Sequence, residues 1–112
     1  MTFLSRARNK FNSRKTVVDG IKFHSAAEAK RYQQLVQDVK DRKIEDLMLQ
    51  FRFPLVAGIC WFADFVYFDI RLGHWVVEEV KGKETDVWKI KEKLFRYLYP
   101  TVPLIVTKAS KV

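Results

Sequence analysis

One cysteine in 112 residues rules out an intrachain disulfide and any zinc site built from several thiolates. That residue, Cys60, lies in an apolar run where nothing local would lower its pKa, so it is expected to be a small buried hydrophobe. Histidine is almost as scarce. His24 and His74 share no metal-ligand spacing and take no catalytic role; His24 is expected at a helix entry and His74 in a turn. No apolar stretch approaches the ~20 residues of a membrane-spanning helix, and charges stand where a signal peptide would have its apolar region. The expectation is therefore a cytoplasmic protein with no membrane partner. Internal repeats and low-complexity segments are also missing, and the length suits a single domain.

Positive charge is abundant. Twenty-one Lys and Arg against 13 Asp and Glu give a formal charge of +8, which makes a polyanion the leading partner, nucleic acid ahead of an anionic membrane. Residues 1–15 carry Arg6, Arg8, Lys10, Arg14 and Lys15 without one acid. They read as a basic arm, either a solvated tail or a source of extra phosphate contacts, ahead of one domain over residues 16–112.

Within that domain, residues 17–23 read as a hairpin or extended lead-in around Asp19-Gly20. Ser25 and Glu28 form a capping box that opens a helix from Ala26 to Lys40, with Ala26, Ala29, Tyr32, Leu35 and Val36 on its apolar stripe. Strands follow over residues 47–56 and 59–70, and Pro54 places the first at an edge or bulge. Arg71 to His74 supplies a turn before a strand over residues 75–81. Thr85 caps a second helix that Pro100 ends, with Val87, Ile90, Leu94, Tyr97 and Leu98 expected to face the core. A short strand over residues 104–107 closes the domain.

The third strand is unusual. Trp75-Val76-Val77-Glu78-Glu79-Val80-Lys81-Gly82 puts carboxylates and a lysine where a strand should be buried, and Asp64 stands inside the preceding apolar strand. Burying such charges is costly unless they are paired or bound to metal. Alternation puts Glu79 and Lys81 on one face and Glu78 on the other. A four-residue loop over 71–74 or a two-residue loop over 71–72 sets Asp64 opposite Lys81 or Glu79, whereas a three-residue loop selects Glu78 instead. Two carboxylates suit a hard cation such as Mg²⁺, and a nearby lysine can orient water or stabilise charge growing on a phosphate. A structural cluster of ion pairs explains the same residues without chemistry.

Asp64, then Glu79-Val80-Lys81 on the next strand, after a helix containing Glu28 and before a helix and a strand, resembles the PD-(D/E)XK nuclease superfamily. The likeness runs over residues 23–107 and is nearest to small phage-encoded members that are uncharacterised or similar to Holliday-junction resolvases. It implies an α/β restriction-endonuclease-like core: helix, three strands, helix and strand, with a mixed central sheet flanked by two helices. It further implies that Asp64, Glu79 and the Val80 carbonyl bind Mg²⁺, with Mn²⁺ as a substitute, and that Lys81 acts on the nucleophilic water. Glu28 matches a first-helix glutamate that binds a second metal or a metal-bound water, although helix capping accounts for it equally. Ala63 stands where the motif has its proline, and Glu78 is an alternative ligand or an outward-facing partner for lysines.

Lys89, Lys93 and Arg96 recur on one side of the second helix, with Lys83 and Lys91 flanking them, and suit phosphate-backbone contacts. Trp61, Trp75, Trp88, Phe62 and Tyr67 suit core packing better than base stacking. The resulting expectation is a Mg²⁺-dependent DNA endonuclease acting on branched DNA, as a homodimer presenting two sites, in a host's cytoplasm if phage-encoded. The competing expectation is a nucleic-acid-binding protein without catalysis on the same fold. A sequence-specific restriction enzyme fits less well, because no extra recognition segment is visible.

Overall fold

The computed structural model describes residues 15–112, so the basic arm with Arg6 and Arg8 lies outside the described residues. The chain forms β1 (Thr16–Val18), β2 (Ile21–Phe23), α1 (Ala26–Lys40), β3 (Ile44–Pro54), β4 (Cys60–Asp69), β5 (His74–Lys81), α2 (Asp86–Leu98) and β6 (Leu104–Lys108). β1 and β2 pair as a hairpin whose turn residues, Asp19 and Gly20, both have positive φ, the geometry that lets two residues reverse a twisted ribbon. The main sheet runs β3-β4-β5-β6, antiparallel except for the parallel β5–β6 pair that α2 connects. It is an α/β fold with a mixed four-stranded sheet.

Local chemistry sets the helix ends. Ser25 Oγ accepts from Glu28 N at 3.1 Å and Thr85 Oγ1 accepts from Trp88 N at 3.1 Å, each satisfying a donor that the first turn leaves free. The sheet's first hydrophobic cluster joins Phe65, Tyr67 and Val76 to Ala29 and Leu35 of α1. The second joins Trp61, Ala63, Val66 and Val77 to Trp88 and Phe95 of α2.

These clusters correct the expected orientation of α2. Trp88 and Phe95 are buried, whereas Val87, Ile90, Tyr97 and Leu98 are exposed, Tyr97 by 80%. The two aromatics, seven residues apart, share a face and fill more space between helix and sheet than the aliphatic stripe would, so burial follows size over count. Phe95 and Trp61 meet edge to face with ring centroids 5.0 Å apart. Cys60 is half-buried, at the start of β4, and is not the core residue expected.

The strands also depart from simple alternation. In the inner half of the β3–β4 ribbon, Leu47, Leu49, Phe65 and Tyr67 pack with the α1 cluster, and Met48 and Val66 with the α2 cluster. In the outer half, odd-numbered Phe53, Leu55, Trp61 and Ala63 pack with the α2 cluster. The facing pair Gln50 and Asp64 lies at this changeover, between Leu49↔Phe65 and Phe51↔Ala63. Gln50 has a φ of 50°, a left-handed value that redirects the strand there without a register shift.

The β4–β5 turn occupies residues 70–73, with Asp69↔His74 the last pair, so His74 opens β5 and does not sit in the turn. Asp69 Oδ1 accepts from Arg71 N and Leu72 N, both at 3.0 Å, and Gly73 supplies a positive φ. The register is centred on Arg71-Leu72, as a two-residue loop would have it, but the loop has four residues.

Candidate active site

The turn register continues to place Asp64 opposite Glu79, but the β4–β5 ladder stops at Phe65↔Glu78. Beyond it, side chains take over. Glu79 Oε1 accepts from Asp64 N at 3.2 Å, and Asp64 Oδ2 accepts from Val80 N at 2.9 Å. Each carboxylate satisfies a backbone donor next to the other, so the pair closes the end of the ladder while leaving one oxygen of each directed elsewhere.

Those free oxygens meet Gln50 and Lys81, and Gln50 reaches on to Glu28. Gln50 Nε2 donates to Asp64 Oδ1 and to Glu28 Oε2, both at 3.2 Å. Glu28 Oε1 accepts from His24 N at 3.2 Å, so Glu28 closes the capping motif and faces the site at once. Lys81 Nζ lies 3.2 Å from Glu79 Oε2 and 4.8 Å from the centre of the Trp88 ring, which favours a cation.

Glu28, Asp64, Glu79, Val80 and Lys81 therefore line one pocket of about 500 Å³. Three carboxyls with one nearby ammonium repel one another. The Glu28 carboxyl is pushed up to about 8, first by burial and then by the Asp64 charge. Glu79 rises to about 7 for the same two reasons, with Lys81 opposing them. Among the described residues, no three His, Cys, Asp or Glu side chains stand as a ready cation cage. The Gln50 amide bridges two of the carboxyls and Lys81 neutralises the third. The all-oxygen donor set, short of positive charge, nevertheless has the chemistry that a hard divalent cation requires.

Glu78 does something else. It projects to the opposite side of β5, 1% exposed, where Arg31 Nε and NH2 donate to it at 2.6 and 3.1 Å. Tyr67 OH at 2.7 Å and Thr107 Oγ1 at 2.9 Å complete its partners, and burial with the Glu78 charge raises the Tyr67 hydroxyl pKa. It is neither a pocket residue nor an outward-facing partner for lysines. Its real partners come from α1, β4 and β6, which no local sequence pattern connects to it.

Basic side chains divide likewise. Lys83 and Lys91 line the pocket, whereas Lys89, Lys93 and Arg96 lie on an exposed face of α2 away from its lining, and Arg96 is held by Glu92 at 2.9 Å. The pocket also collects both helix N-caps, Ser25 and Thr85, so the positive ends of two helix dipoles point toward it. Trp61, Trp88 and Tyr67 are core residues; Phe62, 48% exposed on the pocket wall, is the aromatic open to a ligand there. Gln50 and His24 were missed as pocket residues by sequence reasoning. Gln50 carried no signal beyond its polarity in a strand.

Fold and site together define an α/β protein with an acidic pocket set in a basic surface. The profile of the family described as "Protein of unknown function (DUF1064)" matches residues 8–112, and the chain belongs to that family. No curated protein and no solved structure matches it. Among the described residues, no helix is long and apolar enough to cross a membrane.

Proposed function

We propose that the chain is a Mg²⁺-dependent DNA endonuclease of the PD-(D/E)XK type, acting in the cytoplasm on branched DNA such as Holliday junctions. The observation that carries the reading is the convergence of Glu28, Asp64, Glu79 and Lys81, from α1, β4 and β5, on one pocket whose wall also bears Lys83 and Lys91. Asp64, Glu79, Glu28 and the Val80 carbonyl would hold Mg²⁺, or Mn²⁺ in its place. When bound, the cation supplies charge withdrawal from a phosphate oxygen and a more acidic water.

The chain's own groups do the rest. Lys81, beside Glu79 and over Trp88, orients the attacking water and offsets negative charge on the phosphate. Lys83, Lys91 and the two helix N-termini hold the flanking phosphates, while Lys89 and Lys93, on the other side of α2, lie off that path. Such contacts position a backbone without reading bases, and the choice of branched DNA rests on the resemblance to resolvase-like members alone.

Two copies fit this substrate better than one. Val87, Ile90, Leu94 and Tyr97 follow a three-four-three spacing along α2, the seam by which a helix packs on its own image.

The test is cleavage of duplex, single-stranded, flap and four-way-junction DNA with Mg²⁺. The parent protein is expected to cut the junction best, and Asp64→Ala and Lys81→Ala to lose at least 100-fold in rate while remaining folded. Cleavage unchanged in both variants removes the site. Tight, salt-sensitive DNA binding without any cutting supports the binding-only alternative.

A further inference from the structure

The geometry points to Gln50 as a further member of the cation site, a switchable side chain that holds Glu28 and Asp64 with its amide nitrogen when no cation is bound and turns its oxygen to the cation when one is. This inference rests on the reading of the pocket as a divalent-cation site.

Three observations carry it. Gln50 Nε2 lies 3.2 Å from both Glu28 Oε2 and Asp64 Oδ1, so it occupies the gap that a shared cation would need. A neutral amide is suited to that place. Its two N–H groups satisfy two carboxyl oxygens that would otherwise repel each other, and half a turn about the terminal bond exchanges nitrogen for oxygen at nearly the same position. A donor to carboxylates thus becomes a ligand for a hard cation with little other movement.

The second observation is the backbone. Gln50 holds a φ of 50° in mid-strand, a left-handed conformation that a residue with a side chain rarely adopts. Asp46 has a similar φ of 55°, but it lies within a register shift between Glu45 and Met48, which accounts for it. Gln50 has no such shift on either side. The third is position: Gln50 is directly across from Asp64 at the level where both strands change faces, and its side chain lines the pocket. The distortion keeps the amide aimed at the carboxyls.

A side chain used only to brace the two carboxyls would fail alike in every variant that lacks the amide hydrogens, whereas a ligand needs only the oxygen, and this separates the two roles. In the full chain labelled with ¹⁵N, the Gln50 side-chain amide pair is expected to shift on addition of Mg²⁺ and to broaden beyond detection with substoichiometric Mn²⁺. Mn²⁺ affinity, measured by calorimetry and by electron paramagnetic resonance, is expected to fall at least 10-fold in Gln50→Met. In Gln50→Glu, which keeps the oxygen and lacks the amide hydrogens, it is expected to equal or exceed that of the parent, while the cation-free protein melts at a lower temperature. Circular dichroism checks that each variant is folded, and the parent's amide signals serve even where a variant is not.

An amide pair untouched by Mn²⁺, or a folded Gln50→Met that binds Mn²⁺ as tightly as the parent, overturns the assignment of Gln50 and leaves the cation site standing. Loss of Mn²⁺ affinity in Gln50→Glu as severe as in Gln50→Met reduces Gln50 to a brace and overturns its role as ligand. A parent that binds no Mn²⁺ overturns the cation site and this inference together.

Discussion

Adjacent glutamates in β5 have opposite fates because their surroundings differ. Glu78 accepts four hydrogen bonds from Arg31, Tyr67 and Thr107, while Glu79 is left with a single lysine and a backbone donor. Removing Arg31 would leave a buried carboxylate without its counter-charge. Arg31→Met is therefore expected to lose about 3–5 kcal/mol of stability in urea unfolding, and a loss below 1 kcal/mol would show that the pair is not essential. Glu28 and Glu79 give the pH dependence. Both have folded pKa values, about 8 and about 7, above the ordinary glutamate value of 4.5, so the folded state binds the extra protons. Their contribution is fully present below pH 4.5 and is lost as pH rises through 7 and 8. In EDTA, Tm is expected to fall between pH 5 and pH 8.5, Glu28→Gln to flatten that fall, and Mg²⁺ to restore Tm at the higher pH. Calorimetric scans showing Tm rising over this window would contradict the assignment.

At the level of elements, α2 offers the sharpest test because three surfaces run along it. Phe95→Ala is expected to cost about 3–5 kcal/mol through the cavity left between helix and sheet, whereas Val87→Ala should change monomer stability by less than 1 kcal/mol. Equal losses would restore the orientation first expected from the apolar spacing. The exposed seam is checked by Ile90→Lys, which is expected to halve the molar mass seen by sedimentation while leaving the circular dichroism unchanged.

Much of this architecture was legible. Ser25, Glu28, Thr85 and Pro100 marked the helix ends, and strand parity separated Glu79 from Glu78, because capping and alternation are local properties. What escaped was decided over distance. Choosing between Trp88 with Phe95 and the aliphatic stripe needed the shape of the opposing sheet. Arg31 and Tyr67 reach Glu78 only after helix and strand have docked. Gln50 became visible as a pocket residue only once a left-handed backbone had turned it there, and alternation cannot anticipate such a residue.

Across the whole molecule, the excess of basic side chains has a measurable signature. Lys83→Ala and Lys91→Ala are each expected to lower the slope of log affinity for junction DNA against log salt by about 1 and to weaken binding to every sequence alike. An unchanged slope in both would move the DNA path away from the pocket. The turn at residues 70–73 works on the same scale. It lies five residue pairs from Asp64 and Glu79, roughly 17 Å along the ribbon, and contributes no atom to the chemistry. Yet its length acts as a gauge for the whole sheet. Deleting Leu72 would leave every residue of the site intact, and a β5 that slid by one residue to keep a four-residue turn would hand Glu78 to the pocket and Glu79 to Arg31. An inventory of active-site residues would score such a variant as unaltered, while the protein itself had its acids exchanged from a distance.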